Sequence, residues 1–119
     1  MAEALARHFL PDLVNVGSAG LNPLGYITKE TLTVLAEAGI ATEGLRSKGL
    51  QDVNLALFPL LVNLTAYALE GYLPGDFRGR VLHHPVTDPF GSGLQVYRES
   101  RDAIRRFVTE DLPRHLGNF

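Results

Sequence analysis

The 119-residue sequence contains no cysteine. This absence excludes a disulfide framework, a thiolate metal site and a cysteine nucleophile within these residues. No apolar run approaches the roughly 20 residues that a membrane-spanning helix needs, and the longest run, at 55–69, is interrupted by Pro59 and Asn63. The first residues also lack the basic region and apolar stretch of a secretory signal. We therefore expect a cytoplasmic protein with no membrane partner.

Charge is also scarce, since charged residues make up 20% of the chain and the formal net charge is −2. A slightly acidic balance provides no basic surface for nucleic acid, so we expect no nucleic-acid partner. Apolar residues make up 45% of the sequence, which is typical of a globular protein and argues against a disordered tail. The length suits one domain over residues 1–119 with a core of its own.

The first half of the chain predicts helices that alternate with a strand. The spacing predicts a helix over 2–10 that ends before Pro11, and the apolar run 13–16 predicts a strand. A second helix is predicted from Thr28, as its N-cap, to Ala38, with Gly39 ending it. The residues expected on the inner faces of these two helices are Ala2, Leu5, Ala6, Phe9, Leu32 and Leu35.

The second half continues the same alternation. Strands are predicted over 60–64 and 79–84, and proline and glycine make 85–93 a loop. Short helical pieces are predicted over 52–57 and 65–73, and a long helix runs from Leu94 to about Leu112. Its expected apolar face consists of Leu94, Tyr97, Ile104 and Val108, whereas its arginines are read as a solvated face. This alternation favours an α/β architecture with a parallel sheet.

Four segments together resemble the low-molecular-weight protein tyrosine phosphatase family, which includes a thioredoxin-coupled arsenate reductase branch. They are "MAEALAR" at 1–7, "GSAG" at 17–20, "LAEAGI" at 35–40 with "RSKGL" at 46–50, and "HPVTDPF" at 84–90. Their order and spacing match the family over nearly the whole chain. The resemblance implies a three-layer fold, in which helices cover both faces of a parallel sheet with strand order 2-1-3-4.

In that family a strand and a phosphate-binding loop precede the helix that begins "MAEA". The loop carries the cysteine nucleophile and, after five intervening residues, an arginine. The resemblance implies that Met1 lies just past this loop, so the fold is expected to lack its first, central strand. We expect the chain to close the gap by pairing 13–16 with 60–64, or by borrowing an element in a homodimer or strand-swapped assembly.

The resemblance also implies roles for four residues that are present. Asp88 matches the family's general acid, which protonates the leaving oxygen and later activates water. Pro89 would restrict the backbone of Asp88, and Phe90 would flank the substrate ring at the mouth of the site. Ser18 would support the catalytic loop from behind. Without the family context, Asp88 and Pro89 are simply a turn-initiating pair.

Two other clusters are weaker candidates. The adjacent histidines His83 and His84 point to opposite faces of a strand, so we expect no metal site there. His84 lies where the family often has an aromatic residue, so the resemblance implies that it packs. Arg78 and Arg80 are read as surface residues, with phosphate recognition as a lesser alternative. We expect no cofactor.

Three functions remain open on the sequence alone. The first is a catalytically inactive phosphatase relative that binds a phosphoprotein or another protein as a regulatory module. The second is an incomplete version of an active phosphotyrosine phosphatase or arsenate reductase, with an upstream cysteine and Asp88 as acid. The third, and weakest, is an interaction domain unrelated to phosphate chemistry. The reductase branch would also need cysteines near Thr65 and around Tyr72 or Leu73, and their absence favours the phosphatase branch.

Overall fold

The computed structural model describes residues 1–10 and 14–116. Helix α1 spans Ala2–Phe9, as predicted, and it buries Ala4, Leu5 and Ala6. The Leu10 amide donates to the Ala6 carbonyl at 2.9 Å and closes the helix just before Pro11, which lies outside the described residues.

Helix α2 spans Lys29–Glu37, and both of its predicted ends are confirmed. The Thr28 hydroxyl accepts the Thr31 amide, which satisfies one of the free N–H groups of the first turn. At the other end Gly39 has φ +73°, and the Gly39 and Ile40 amides donate back to the carbonyls of Ala36 and Leu35. This pair of bonds is a Schellman motif, which requires the left-handed conformation that glycine adopts freely.

The sheet in the described residues has two parallel strands. Strand β1 spans Leu60–Asn63 and strand β2 spans Arg80–His83, with Leu60 opposite Arg80 and Asn63 opposite His83. The strand predicted over 13–16 does not form over residues 14–16, and Leu13 lies outside the described residues. A strand needs a hydrogen-bonded neighbour, and none of the described residues pairs with this segment. Val14 and Val16 nevertheless pack against the core.

The segments between these elements are short turns and loops. The predicted helical turn at 52–57 is present as two 3₁₀ turns, Leu50–Asp52 and Leu55–Leu57. The helix predicted over 65–73 is wrong, because this segment forms turns. The expected N-cap, Thr65, donates its amide and its hydroxyl to the Asn63 side chain instead, and these local bonds compete with a helix.

The long C-terminal helix is interrupted once. Helix α3 spans Leu94–Arg106 and continues through a π-helical turn, Phe107–Asp111, into helix α4 at Leu112–Leu116. Pro113 lacks an N–H and would clash with the carbonyl four residues earlier, so the wider turn before it relieves that contact.

One hydrophobic core joins these elements. Leu5 and Leu35 are fully buried, and Ile104, Phe107 and Val108 pack with them from the C-terminal helix. Leu32 was predicted to face this core but is 39% exposed, whereas Val34 is fully buried. The remaining core residues are Ala4, Ala6, Leu10, Ile40 and Leu112.

Candidate functional site

The loop that follows β2 places Asp88 at the carboxyl end of the sheet. The Phe90 amide donates to Asp88 Oδ1 at 3.1 Å, so Asp88 and Phe90 form an Asx turn. The Ser92 amide donates to the Pro89 carbonyl at 2.8 Å and continues the turn. Asp88 is exposed, and 54% of Phe90 is accessible to solvent. The second carboxylate oxygen of Asp88 therefore lies open to a bound molecule.

Two hydrogen bonds hold this loop against the body of the protein. The buried Ser100 hydroxyl of α3 donates to the Thr87 carbonyl at 2.9 Å, directly before Asp88. The Val86 amide donates to the Leu64 carbonyl at 2.8 Å, which fixes the loop to the end of β1. The position of the Asp88 backbone is therefore set by β1 and α3 as well as by Pro89.

A buried carboxylate lies on the first turn of α1. Only 3% of Glu3 is exposed, and its Oε1 accepts hydrogen bonds from Ser18 Oγ at 2.8 Å and Lys48 Nζ at 3.0 Å. Its Oε2 lies 2.9 Å from Arg7 Nη1 and forms an ion pair with it. Arg7 Nη2 also donates to the Val16 carbonyl at 3.4 Å. Glu3 therefore joins α1 to the loops that contain Ser18 and Lys48.

The electrostatics of this cluster keep Glu3 ionised. Burial alone raises the pKa of Glu3, because a carboxylate loses its hydration. The hydrogen bonds from Ser18 and Lys48 and the charges of Lys48 and Arg7 outweigh burial, so the pKa of Glu3 lies below its ordinary value. Ser18 was predicted to support the catalytic loop, and it contacts the Glu3 carboxylate; its role in catalysis stays a prediction.

Glu3 and Lys48 were not predicted as a pair, because 45 residues separate them. One signal was available, since Glu3 lies three residues before the inward-facing Ala6 and therefore on the same side of the helix. A parallel bridge also joins Gly20 and Gly49, and the Gly20 amide donates to the Lys48 carbonyl at 2.8 Å. It holds the two loops in place around the carboxylate.

The structure does not join the two predicted parts of the site directly. Within 1–10 and 14–116, no hydrogen bond or ion pair connects Ser18 with the loop of Asp88, Pro89 and Phe90. Two cavities lie elsewhere. One of about 830 Å³ lies between the turn at 50–55 and the segment 71–76, and one of about 330 Å³ lies against β2 and the C-terminal helix.

The other candidates have structural roles. His84 stacks on Phe107 with ring centroids 4.3 Å apart, which confirms that it packs. Arg78 and Arg80 are exposed and donate to backbone carbonyls, of Gly75 and His115 respectively. In the described part of the chain, no three histidine, aspartate or glutamate side chains converge so as to hold a metal ion, and no helix is long and apolar enough to cross a membrane.

One arginine of α3 is not on a solvated face. Arg101 Nη1 donates to the Val34 carbonyl at 2.8 Å and lies 3.2 Å from Glu37 Oε1. Arg98 pairs with the same carboxylate at 2.8 Å. These contacts join α3 to α2. Arg98 and Arg101, which were predicted to lie on the solvated face of α3, therefore form an interhelical contact.

Comparison with known proteins agrees with the resemblance. The family model described as "Low molecular weight phosphotyrosine protein phosphatase" matches residues 1–116. An arsenate reductase from Archaeoglobus fulgidus DSM 4304 is 24% identical with a TM-score of 0.77, and the match covers 92% of this chain and 85% of that one. An arsenate reductase in the reduced state is 22% identical with a TM-score of 0.72, over 90% and 81%. No curated protein sequence matches significantly. The family and the fold predicted from the sequence are thereby confirmed.

Proposed function

Because this chain belongs to the low molecular weight phosphotyrosine protein phosphatase family, we propose that its 119 residues form a catalytically inactive member that serves as a binding or regulatory module. One observation carries the proposal. The chain has no cysteine, whereas the family mechanism requires a thiolate to attack phosphorus. Hydroxyl and carboxylate groups are present but are far weaker nucleophiles unless a neighbouring base activates them.

The retained geometry suits binding better than turnover. Asp88 keeps an open carboxylate oxygen beside the exposed ring of Phe90. A general acid in the right place contributes about 10²–10⁴ to a rate, but it cannot replace the group that attacks phosphorus. A protein or phosphoprotein partner that contacts Phe90 is the ligand that we propose for this surface.

A second candidate function is favoured by the way Asp88 is held. Strand β1 and helix α3 anchor its loop, and an anchored, open carboxylate is what a general acid requires. If the natural polypeptide carries a cysteine loop before residue 1, then we propose a phosphotyrosine phosphatase or arsenate reductase with Asp88 as acid. The absence of cysteine from 64–73 supports the phosphatase over a relay through that segment.

Intact mass and N-terminal sequencing of the protein from its source cells separate the two candidates. A protein of 13.0 kDa whose first residue is Met1 supports the inactive module. A heavier protein whose extra residues contain a cysteine and an arginine separated by five residues supports the enzyme and contradicts the module.

We also propose that the protein acts as a homodimer or strand-swapped assembly. In the described residues β1 pairs with β2 alone, so its other edge has no strand beside it. Leu60 and Val62 on this strand are half-buried against the core, and an open apolar edge recruits further chain. Light scattering at micromolar concentration tests this: a dimer mass supports the proposal, and a monodisperse monomer contradicts it.

A further inference from the structure

A buried asparagine at the end of β1 organises the segment that follows it. Only 3% of Asn63 is exposed. Its Oδ1 accepts the Thr65 amide at 3.0 Å and the Thr65 hydroxyl at 2.7 Å, and its Nδ2 donates to the Tyr67 carbonyl at 2.7 Å. The Tyr67 amide in turn donates to Thr65 Oγ1 at 3.1 Å. The backbone of 65–67 is therefore wrapped around one amide group.

These contacts fix which way the amide of Asn63 faces. A flipped amide would place Oδ1 against the Tyr67 carbonyl and Nδ2 against the Thr65 N–H, so two acceptors would meet at one end and two donors at the other. Nδ2 therefore also faces His83 Nδ1, which lies 3.2 Å away in β2. An N–H donor on Asn63 requires an acceptor on His83. His83 must then carry its proton on Nε2 and leave Nδ1 bare.

We infer that Asn63 and His83 form a proton-sensitive latch on the segment 65–67. When the exposed His83 takes up a second proton, Nδ1 becomes a donor that faces the Asn63 donor, and the bond is lost. Asn63 cannot rotate to restore the bond without breaking its three contacts to Thr65 and Tyr67. Protonation therefore loosens this segment, which lies directly after β1.

The surroundings of His83 allow this change. On the β1 side, residues 60–67 contain one titratable side chain, the phenol of Tyr67. On the other side His83 lines the cavity of about 330 Å³, and Asp111 and Arg114 there pair with each other at 2.6 Å. The other titratable groups at this cavity are His84 and His115.

The loosened segment also bears on the loop of Asp88. The His84 amide donates to the Asn63 carbonyl at 2.9 Å, and the Val86 amide donates to the Leu64 carbonyl. Opening of the latch therefore disturbs both the end of β1 and the start of the loop that contains Asp88. The inference does not depend on whether the protein is an enzyme.

Nuclear magnetic resonance of the whole chain tests the latch in two steps. Long-range ¹H–¹⁵N spectra of the imidazoles identify the tautomer of each neutral histidine, and we expect the Nε2–H tautomer for neutral His83. Exchange of the Thr65 amide, corrected for intrinsic rate, is then followed from about pH 8 to 5, the range in which histidine changes charge. We expect hydrogen exchange of the Thr65 amide to become about fivefold faster as the pH falls, which is the factor that one lost hydrogen bond gives. The midpoint of this change should equal the midpoint of the change in the His83 imidazole chemical shifts.

Two variants sharpen the result. His83→Asn keeps an acceptor oxygen near the position of Nδ1 but cannot titrate, so Thr65 should stay protected at every pH. His115→Gln, in the same cavity, should keep the wild-type pH dependence. An Nδ1–H tautomer for His83, or Thr65 exchange that is flat while His83 titrates, overturns the inference. The tautomer alone decides the matter if His83→Asn does not fold.

Discussion

Replacement of Lys48 by methionine is the sharpest test of how α1 is held in place. The ammonium lies 3.0 Å from Oε1 of Glu3, which is 3% exposed, and 14% of the Lys48 side chain is accessible. Methionine keeps most of the apolar stem and removes the charge. The carboxylate then stays buried with Ser18 and with Arg7, whose side chain is 49% exposed and therefore more screened.

The size of the effect follows from the burial of the carboxylate. Breaking a buried ion pair from one side costs about 3–5 kcal/mol, because the remaining charge is uncompensated. Arg7 and Ser18 remain, so we expect the lower end, a loss of about 3 kcal/mol in the free energy of unfolding. That is a large fraction of the roughly 5–15 kcal/mol by which a domain is stable.

Urea unfolding followed by far-ultraviolet circular dichroism measures this loss. Lys29→Met is the matched control, because Lys29 is the other lysine of the chain and is exposed at the start of α2, so we expect a change of less than about 0.5 kcal/mol. The double variant Glu3→Gln with Lys48→Met should lose less than the sum of the single variants, because neither charge is left alone. If Lys48→Met loses no more free energy of unfolding than Lys29→Met, the reasoning is refuted.

Three further predictions concern other contacts. The pKa of Glu3 in the folded protein lies below its ordinary value of 4.5. The contribution of the ionised carboxylate to stability is therefore complete above that pH and is lost as the pH falls through the lowered pKa. Acid unfolding of Glu3→Gln should lack this part of the pH dependence. Arg101→Met leaves the carbonyl of the buried Val34 without its donor and should cost about 1–2 kcal/mol, measured by urea unfolding. Gly39→Ala forces alanine to φ +73° and should lower stability by about 1 kcal/mol in thermal unfolding. Gly71→Ala is the control and should change it little, because Gly71 has no positive φ and has open space around it.

Features set by neighbouring residues could be predicted from the sequence. Thr28 and Gly39 fix the ends of α2 through bonds that span only a few residues. The helix wrongly predicted over 65–73 is prevented by the Asn63 side chain, which binds the Thr65 amide and the Tyr67 carbonyl that a helix would need. Strand formation at 13–16 depends on a partner strand, and the apolar pattern of a segment contains no information about whether that partner is present.

For the same reason, only part of the candidate site could be predicted from the sequence. The turn at Asp88 and Pro89 depends only on adjacent residues and could be predicted, and in the structure Asp88 accepts the Phe90 amide in an Asx turn. The partners of Glu3 come from 15 and 45 residues away, and the anchor of Thr87 comes from Ser100 in another helix. Only the folded chain brings such residues together, so the buried carboxylate and the anchor of the loop were both missed.

Hydrolysis of an aryl phosphate by the pure 119-residue chain tests the central proposal most directly. The wild-type protein and Asp88→Asn are assayed side by side, because a contaminating phosphatase would act equally in both preparations. We expect no hydrolysis above the Asp88→Asn background, since the chain has no cysteine to attack phosphorus. Turnover by the wild-type protein that Asp88→Asn abolishes would contradict the account, because it would show a catalytic site complete within these residues.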